Sequence, residues 1–134
     1  MEYEGRRGPG PAHELPTTVA QARDRVREVF ERLAERRTGA DELLTDMLLV
    51  TSELATNAIR HGGGLTGFGV RLEADALVLT VADASPEFPA TLPGNGPATP
   101  GGFGWPLICR LAKHVSITPV PGGGKIIEVL LPLR

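Results

Sequence analysis

Residues 84–101, ASPEFPATLPGNGPATPG, hold five prolines, three glycines and no lysine or arginine. Proline fixes φ and lacks an N–H donor, and glycine loses the most conformational freedom on ordering, so no helix or strand is expected to run through this stretch. A loop this long inside a compact domain is uncommon and usually functional. The expected arrangement is one compact domain that contains this segment as a long loop. With 134 residues it has enough length for one domain with its own core and too little for two.

Each half has a readable pattern. Val19, Ala22, Val26, Val29, Phe30 and Leu33 recur at helical spacing, and Thr18 with Gln21 matches a capping box, so a helix is predicted over Thr18–Arg37, ended by Gly39. A second helix is predicted over Asp41–Arg60, with Asp41 as N-cap, Gly62 past its end, and Leu44, Met47, Leu48, Thr51, Leu54, Ala55 and Ala58 as its core stripe. Alternating apolar runs over Gly67–Glu73 and Ala76–Asp83 read as a β-hairpin. Beyond the proline-rich segment come a short helix over Trp105–Lys113, a strand over His114–Pro119, the turn 121–124, and a strand over Lys125–Leu133. The order α-α-β-β-loop-α-β-β predicts an α+β fold, an α/β sandwich with helices on one face of a mixed or antiparallel sheet. Residues 1–14, without apolar periodicity, are expected to form a flexible arm before a domain spanning 15–134.

Composition narrows the functional classes. Fourteen Lys and Arg against sixteen Asp and Glu give a net charge of −2, which offers no support for direct nucleic-acid binding or for an acidic membrane surface. The single cysteine, Cys109, excludes an internal disulfide and a multi-cysteine zinc site. No apolar run approaches the ~18 residues of a membrane span, and the charged N-terminus lacks the apolar core of a secretory signal, so a cytoplasmic location is expected.

Three features carry candidate chemistry. In ELATNAIRHG, residues 53–62, Glu53, Asn57 and His61 stand at i, i+4 and i+8, along one side of a helix. Asn inside a helix costs about 0.5–0.7 kcal/mol against Ala, which asks for a compensating role. A solvated helix face is one reading. The other is an amide oxygen for Mg²⁺, completed by water and phosphate oxygens, with a carboxylate one turn away to accept a proton. Asp83 ends an apolar strand: it either opens an Asx turn into the proline-rich loop or accepts a hydrogen bond from a base amino group. In Gly101-Gly102-Phe103-Gly104-Trp105-Pro106-Leu107 the glycines either form a linker or let backbone N–H groups approach an anion at a helix start, where Pro106 needs no donor. No Gly-Lys-Ser/Thr follows them, so this is not a Walker loop.

Taken in order, Glu53 and Asn57 on a helix, Asp83 at a strand end, the long loop and Gly102/Gly104 before a helix resemble the ATP-binding domain shared by gyrase-like ATPases and histidine kinases. Within that superfamily the chain is most similar to bacterial anti-sigma-factor serine kinases, over residues 15–133. The resemblance implies a histidine-kinase-like ATPase fold with ATP and Mg²⁺ as cofactors. It implies Asn57 as the Mg²⁺ ligand, Glu53 as general base, Asp83 on the adenine amino group, Gly102 and Gly104 on the phosphates, and residues 84–101 as a lid. A sigma factor and an anti-anti-sigma protein are the implied partners, with homodimerisation. His61 and Arg60 lie near the site in that arrangement without an assigned role.

The chain departs from the family pattern in four places. Ser85 replaces a glycine after the adenine-binding aspartate, Phe103 stands between the glycines where many relatives carry a polar residue, and Gly124-Lys125-Ile126 lacks the usual hydroxyl. The lid carries no cation, so Arg60, Arg110, Lys113 and Lys125 are the candidates to meet γ-phosphate charge. The alternative function is a nucleotide-gated protein-binding module without phosphoryl transfer. A purely structural role for the glycines predicts no Mg²⁺-dependent ATP affinity at all.

Overall fold

The computed structural model describes residues 14–34, 40–73, 76–87 and 104–132. Most of the expected lid, Gly102 and, apart from Glu14, the expected N-terminal arm lie outside the described residues.

Helix α1 spans Val19–Ala34. Its start is fixed by the expected side chains: the Gln21 N–H donates to Thr18 Oγ1 (3.1 Å), and Gln21 Oε1 accepts from the Thr17 N–H (2.7 Å). The reach-back thus lands one residue before the cap. Ala22, Val26 and Phe30 form its buried stripe. Helix α2, Ala40–His61, is one residue longer at each end than expected, so Asp41 lies within it. Its buried stripe contains Met47, Leu48, Thr51, Leu54, Ala55 and Ala58 as the spacing predicts, and adds Val50. Thr51 is accommodated there because its hydroxyl donates to the Met47 carbonyl (2.7 Å).

Strands β1 (Leu65–Glu73) and β2 (Ala76–Asp83) form the hairpin, with a register shift between Leu65 and Gly67. After the loop come α3 (Gly104–Leu111), β3 (His114–Pro119) and β4 (Lys125–Pro132). The order in the sheet is β1-β2-β4-β3 and each pairing is antiparallel, which settles the choice between a mixed and an antiparallel sheet.

Strand alternation decides the layering. Leu77, Leu79 and Val81 of β2 face the same side as Ile127, Val129 and Leu131 of β4, and both sets join one cluster with Val26, Phe30, Met47, Leu54 and Ile108 from the three helices. All three helices therefore cover one face. The other face is mixed: Val78 is fully buried there opposite Leu130, while Glu128 Oε2 accepts from Thr80 Oγ1 (3.2 Å) and pairs with Arg71 Nη1 (3.4 Å), which also pairs through Nη2 with Glu73.

Candidate functional site

The end of β2, the start of β4 and the end of α2 meet around one carboxylate. Asp83 is 7% exposed, and its Oδ1 accepts two hydrogen bonds, from the Ser85 N–H (3.0 Å) and from Lys125 Nζ (3.0 Å). Among the described residues no hydrogen bond reaches Oδ2. A buried carboxylate oxygen without a partner carries a large desolvation penalty, so its place calls for a donor.

Two glycines let the surroundings close on Asp83. A Cβ on Gly62 would lie 2.7 Å from Asp83 Cγ and Oδ2, so only a residue without a side chain fits beside that oxygen. A Cβ on Gly124, at φ +108°, would lie 2.6 Å from the Asp83 carbonyl oxygen. The Ala84 N–H donates to the Gly62 carbonyl (2.8 Å), tying the C-terminus of α2 to the point where β2 ends. This join delivers the motif helix to the carboxylate.

On α2, Glu53 and Asn57 are half-buried, and no hydrogen bond to either side chain occurs among the described residues. Arg23 Nη1 of α1 donates to Ser52 Oγ (2.7 Å), which marks the flank of α2 that faces α1. Helical periodicity sets Asn57 roughly 140° around α2 from Ser52, on the flank away from α1. Asn57 precedes Gly62 by about 7–8 Å of helix rise, so one helix presents an amide oxygen and, further on, the glycine that touches Asp83. His61 is exposed at the helix end.

Lys125, one of the four cations expected to meet γ-phosphate charge, is instead paired with Asp83. Lys125 is 5% exposed, and its ammonium donates to Asp83 Oδ1 and to the Ser85 carbonyl (3.2 Å). Register explains it: Lys125 lies directly opposite Asp83 in the β2–β4 pair, so both side chains emerge on the helix-covered face. Arg60, Arg110 and Lys113 are exposed. The Asx turn is also present, since the Ser85 N–H bond to Asp83 forms it, and it leaves Oδ2 free. The two readings of Asp83 are thus compatible. Ser85 Oγ in turn accepts from the Glu87 N–H (3.1 Å). Gly104 is the first residue of α3, with Pro106 in its first turn.

The donor set fits a purine nucleotide carrying its metal. Asp83 Oδ2 is a buried acceptor beside a glycine, without a partner among the described residues, and Asn57 offers an amide oxygen. Mg²⁺ in nucleotide sites takes one or two protein oxygens and fills the rest with phosphate and water. Among the described residues no group of three or more His, Cys, Asp or Glu side chains comes together as an all-protein metal cage.

Among the described residues, three helices on one face of a four-stranded antiparallel sheet form the α+β architecture of histidine kinase-like ATPase domains. The chain belongs to the histidine kinase-like ATPase domain family, whose model matches residues 15–129. Among solved structures, the fold is similar to the histidine kinase domain of the Erythrobacter litoralis EL346 blue-light activated histidine kinase. The identity there is 22% and the TM-score 0.50, over 67% of this chain and 44% of that one. A weaker similarity links it to the Acinetobacter baumannii histidine kinase AdeS, at 18% identity and TM-score 0.46 over 68% and 47% of the two chains. The chain thus spans less than half of these structures. No curated protein matches at a significant level. Family membership supports ATP binding as the domain's function. No helix among the described residues is long and apolar enough to cross a membrane.

Proposed function

We propose that this chain is an ATP-binding anti-sigma factor that acts as a serine protein kinase on an anti-anti-sigma antagonist. In this reading it is a cytoplasmic homodimer, and phosphorylating the antagonist keeps it from releasing the sigma factor. ATP, when bound with Mg²⁺, supplies the phosphoryl group and the cation that offsets phosphate charge. Asn57 holds the metal through its side-chain oxygen. Asp83 accepts a hydrogen bond from the adenine amino group, and the backbone N–H groups of Gly102 and Gly104 bind phosphate oxygens. Glu53 accepts the proton of the antagonist's serine hydroxyl.

The observation that carries the nucleotide part is the buried Asp83 oxygen, without a partner among the described residues, wedged against Gly62 at the end of the helix that bears Asn57. Calorimetric titration with Mg·ATP tests it: the wild type binds, and Asp83→Asn and Asn57→Ala bind far more weakly. Equal affinity in all three would remove these residues from the site.

A second reading, a nucleotide-gated binding module without phosphoryl transfer, is favoured by the commitment of Lys125 to Asp83. That commitment leaves one cation fewer for the γ-phosphate. Transfer of labelled γ-phosphate to a serine of the purified antagonist separates the two. Transfer by the wild type that is lost in Glu53→Gln supports the kinase, and ATP binding without transfer supports the module.

A further inference from the structure

The Asp83–Lys125 pair is a second feature of the base end, and the hydrogen-bond pattern shows how it is arranged. Both side chains are 6% exposed, and the Nζ–Oδ1 distance is 3.0 Å. An ammonium that merely neutralised the carboxylate could bridge both oxygens. Here Lys125 and the Ser85 N–H converge on Oδ1, and Oδ2 keeps no partner among the described residues. The ammonium has three donors and gives two of them to Asp83 Oδ1 and the Ser85 carbonyl. Among the described residues its third donor has no acceptor. Among the described residues, an acceptor and a donor without partners therefore sit on two side chains held against each other.

We propose that Lys125 is a base-reading residue, which with Asp83 forms an acceptor–donor couple for the 6-amino and N1 edge of adenine. The proposal rests on the nucleotide-binding reading of Asp83 and adds a second contact to it. Asp83 Oδ2 accepts from the 6-amino group, and Lys125 Nζ donates to the neighbouring ring nitrogen N1. The chemistry of lysine makes this stricter than a hydroxyl or a water in the same place. A hydroxyl turns to donate or accept, whereas an ammonium only donates. A 6-oxopurine held in the same pose presents a carbonyl to the carboxylate and an N1–H to the ammonium, so both contacts become repulsive. A site that hydrogen-bonds a group rejects the analogue lacking it strongly, because its own buried polar groups are left unpaired.

The test is calorimetric titration, with Mg²⁺, of ATP, 1-deaza-ATP (no N1 acceptor), purine riboside triphosphate (no 6-amino group) and ITP. Wild type, Lys125→Met and Lys125→Arg are compared. The wild type is expected to bind 1-deaza-ATP roughly tenfold to a hundredfold more weakly than ATP, the range for a hydrogen bond to a charged group. ITP is expected to bind more weakly still. In Lys125→Met the difference between ATP and 1-deaza-ATP disappears, while the loss from removing the 6-amino group remains. Equal binding of ATP and 1-deaza-ATP by the wild type overturns the proposal and leaves ATP binding standing, as does tighter ATP binding by Lys125→Met. If Lys125 only positions Asp83, Lys125→Met loses the 6-amino discrimination instead, and the proposal fails. Absence of affinity for all four nucleotides overturns the underlying reading of Asp83. Should Lys125→Met not fold, Lys125→Gln takes its place with the same expected outcome, and a 1-deaza-ATP penalty that it leaves unchanged overturns the proposal; Lys125→Arg keeps a donor in place.

Discussion

Gly62 shows how much a single missing side chain can determine. Alanine there would place Cβ 2.7 Å from the Asp83 carboxylate, which is itself pinned by Ser85 and Lys125 and has little room to retreat. Gly62→Ala is expected to cost about 1–3 kcal/mol of stability, the range for overpacking, and to weaken ATP binding. Urea unfolding measures the first and calorimetry the second; an unchanged midpoint would mean the carboxylate yields more easily than its contacts suggest. The buried ion pair makes a separate demand. Removing one partner strands a charge, costing about 3–5 kcal/mol, whereas replacing both by apolar groups is often neutral. Asp83→Ala alone should therefore unfold at lower urea than Asp83→Ala/Lys125→Met, although the double variant carries more changes. Additive losses in that cycle would show that the two groups do not interact. Lys125's place was partly legible: Lys125, Ile127, Val129 and Leu131 share one parity, so the lysine had to emerge on the core face with the apolar residues. Its partner was not legible, because Asp83 lies 42 residues away and is brought opposite only by the β2–β4 pairing.

At the scale of elements, local chemistry was readable wherever a pattern stayed within one element. The bounds of β2 and β3 match those expected from their strand-like runs, and the start of α1 follows from Thr18 and Gln21. Thr18→Ala is expected to destabilise the domain by about 1 kcal/mol through loss of the Gln21 N–H partner, with Thr18→Ser close to wild type. A thermal melt compares them, and equal losses for both would count against the cap. Helix α2 ends later than its glycine run suggests because tertiary contact holds its last turn: the Ala84 N–H on the Gly62 carbonyl joins it to β2. The Gly62 and Gly64 N–H groups both reach back to the Ala58 carbonyl, closing the helix end. The motif ELATNAIRHG drew attention to Glu53 and Asn57, but it is the glycine of the motif that lies against the Asp83 carboxylate. Nothing local in the sequence distinguishes a glycine that ends a helix from one that must admit a carboxylate.

Across the whole molecule, the antiparallel order β1-β2-β4-β3 sets β2 and β4 at the centre, so the last residue of one and the first of the other share a single end of the sheet. That end is also where α2 finishes. A ligand seated there would contact segments from both halves of the sequence, which the proline-rich stretch separates. Order of elements sufficed to predict the fold class, because an antiparallel sheet with helices on one face is what alternating and helical periodicities of these lengths can bury. Which residues would meet at the strand ends depended on sheet order, a property of the assembled chain. Ligand binding across such a junction should couple to global unfolding, since a nucleotide that binds only the folded state stabilises it by RT ln(1 + [L]/Kd), about 2.7 kcal/mol at a hundredfold excess over Kd. Mg·ATP is therefore expected to raise the urea midpoint of the wild type. Chelating the metal with EDTA should remove part of that gain. In Asn57→Ala the metal-dependent part should be missing from the outset, leaving a smaller shift that EDTA does not change. A wild-type unfolding curve that Mg·ATP leaves unmoved at millimolar concentration would contradict the assignment of this junction as the nucleotide site.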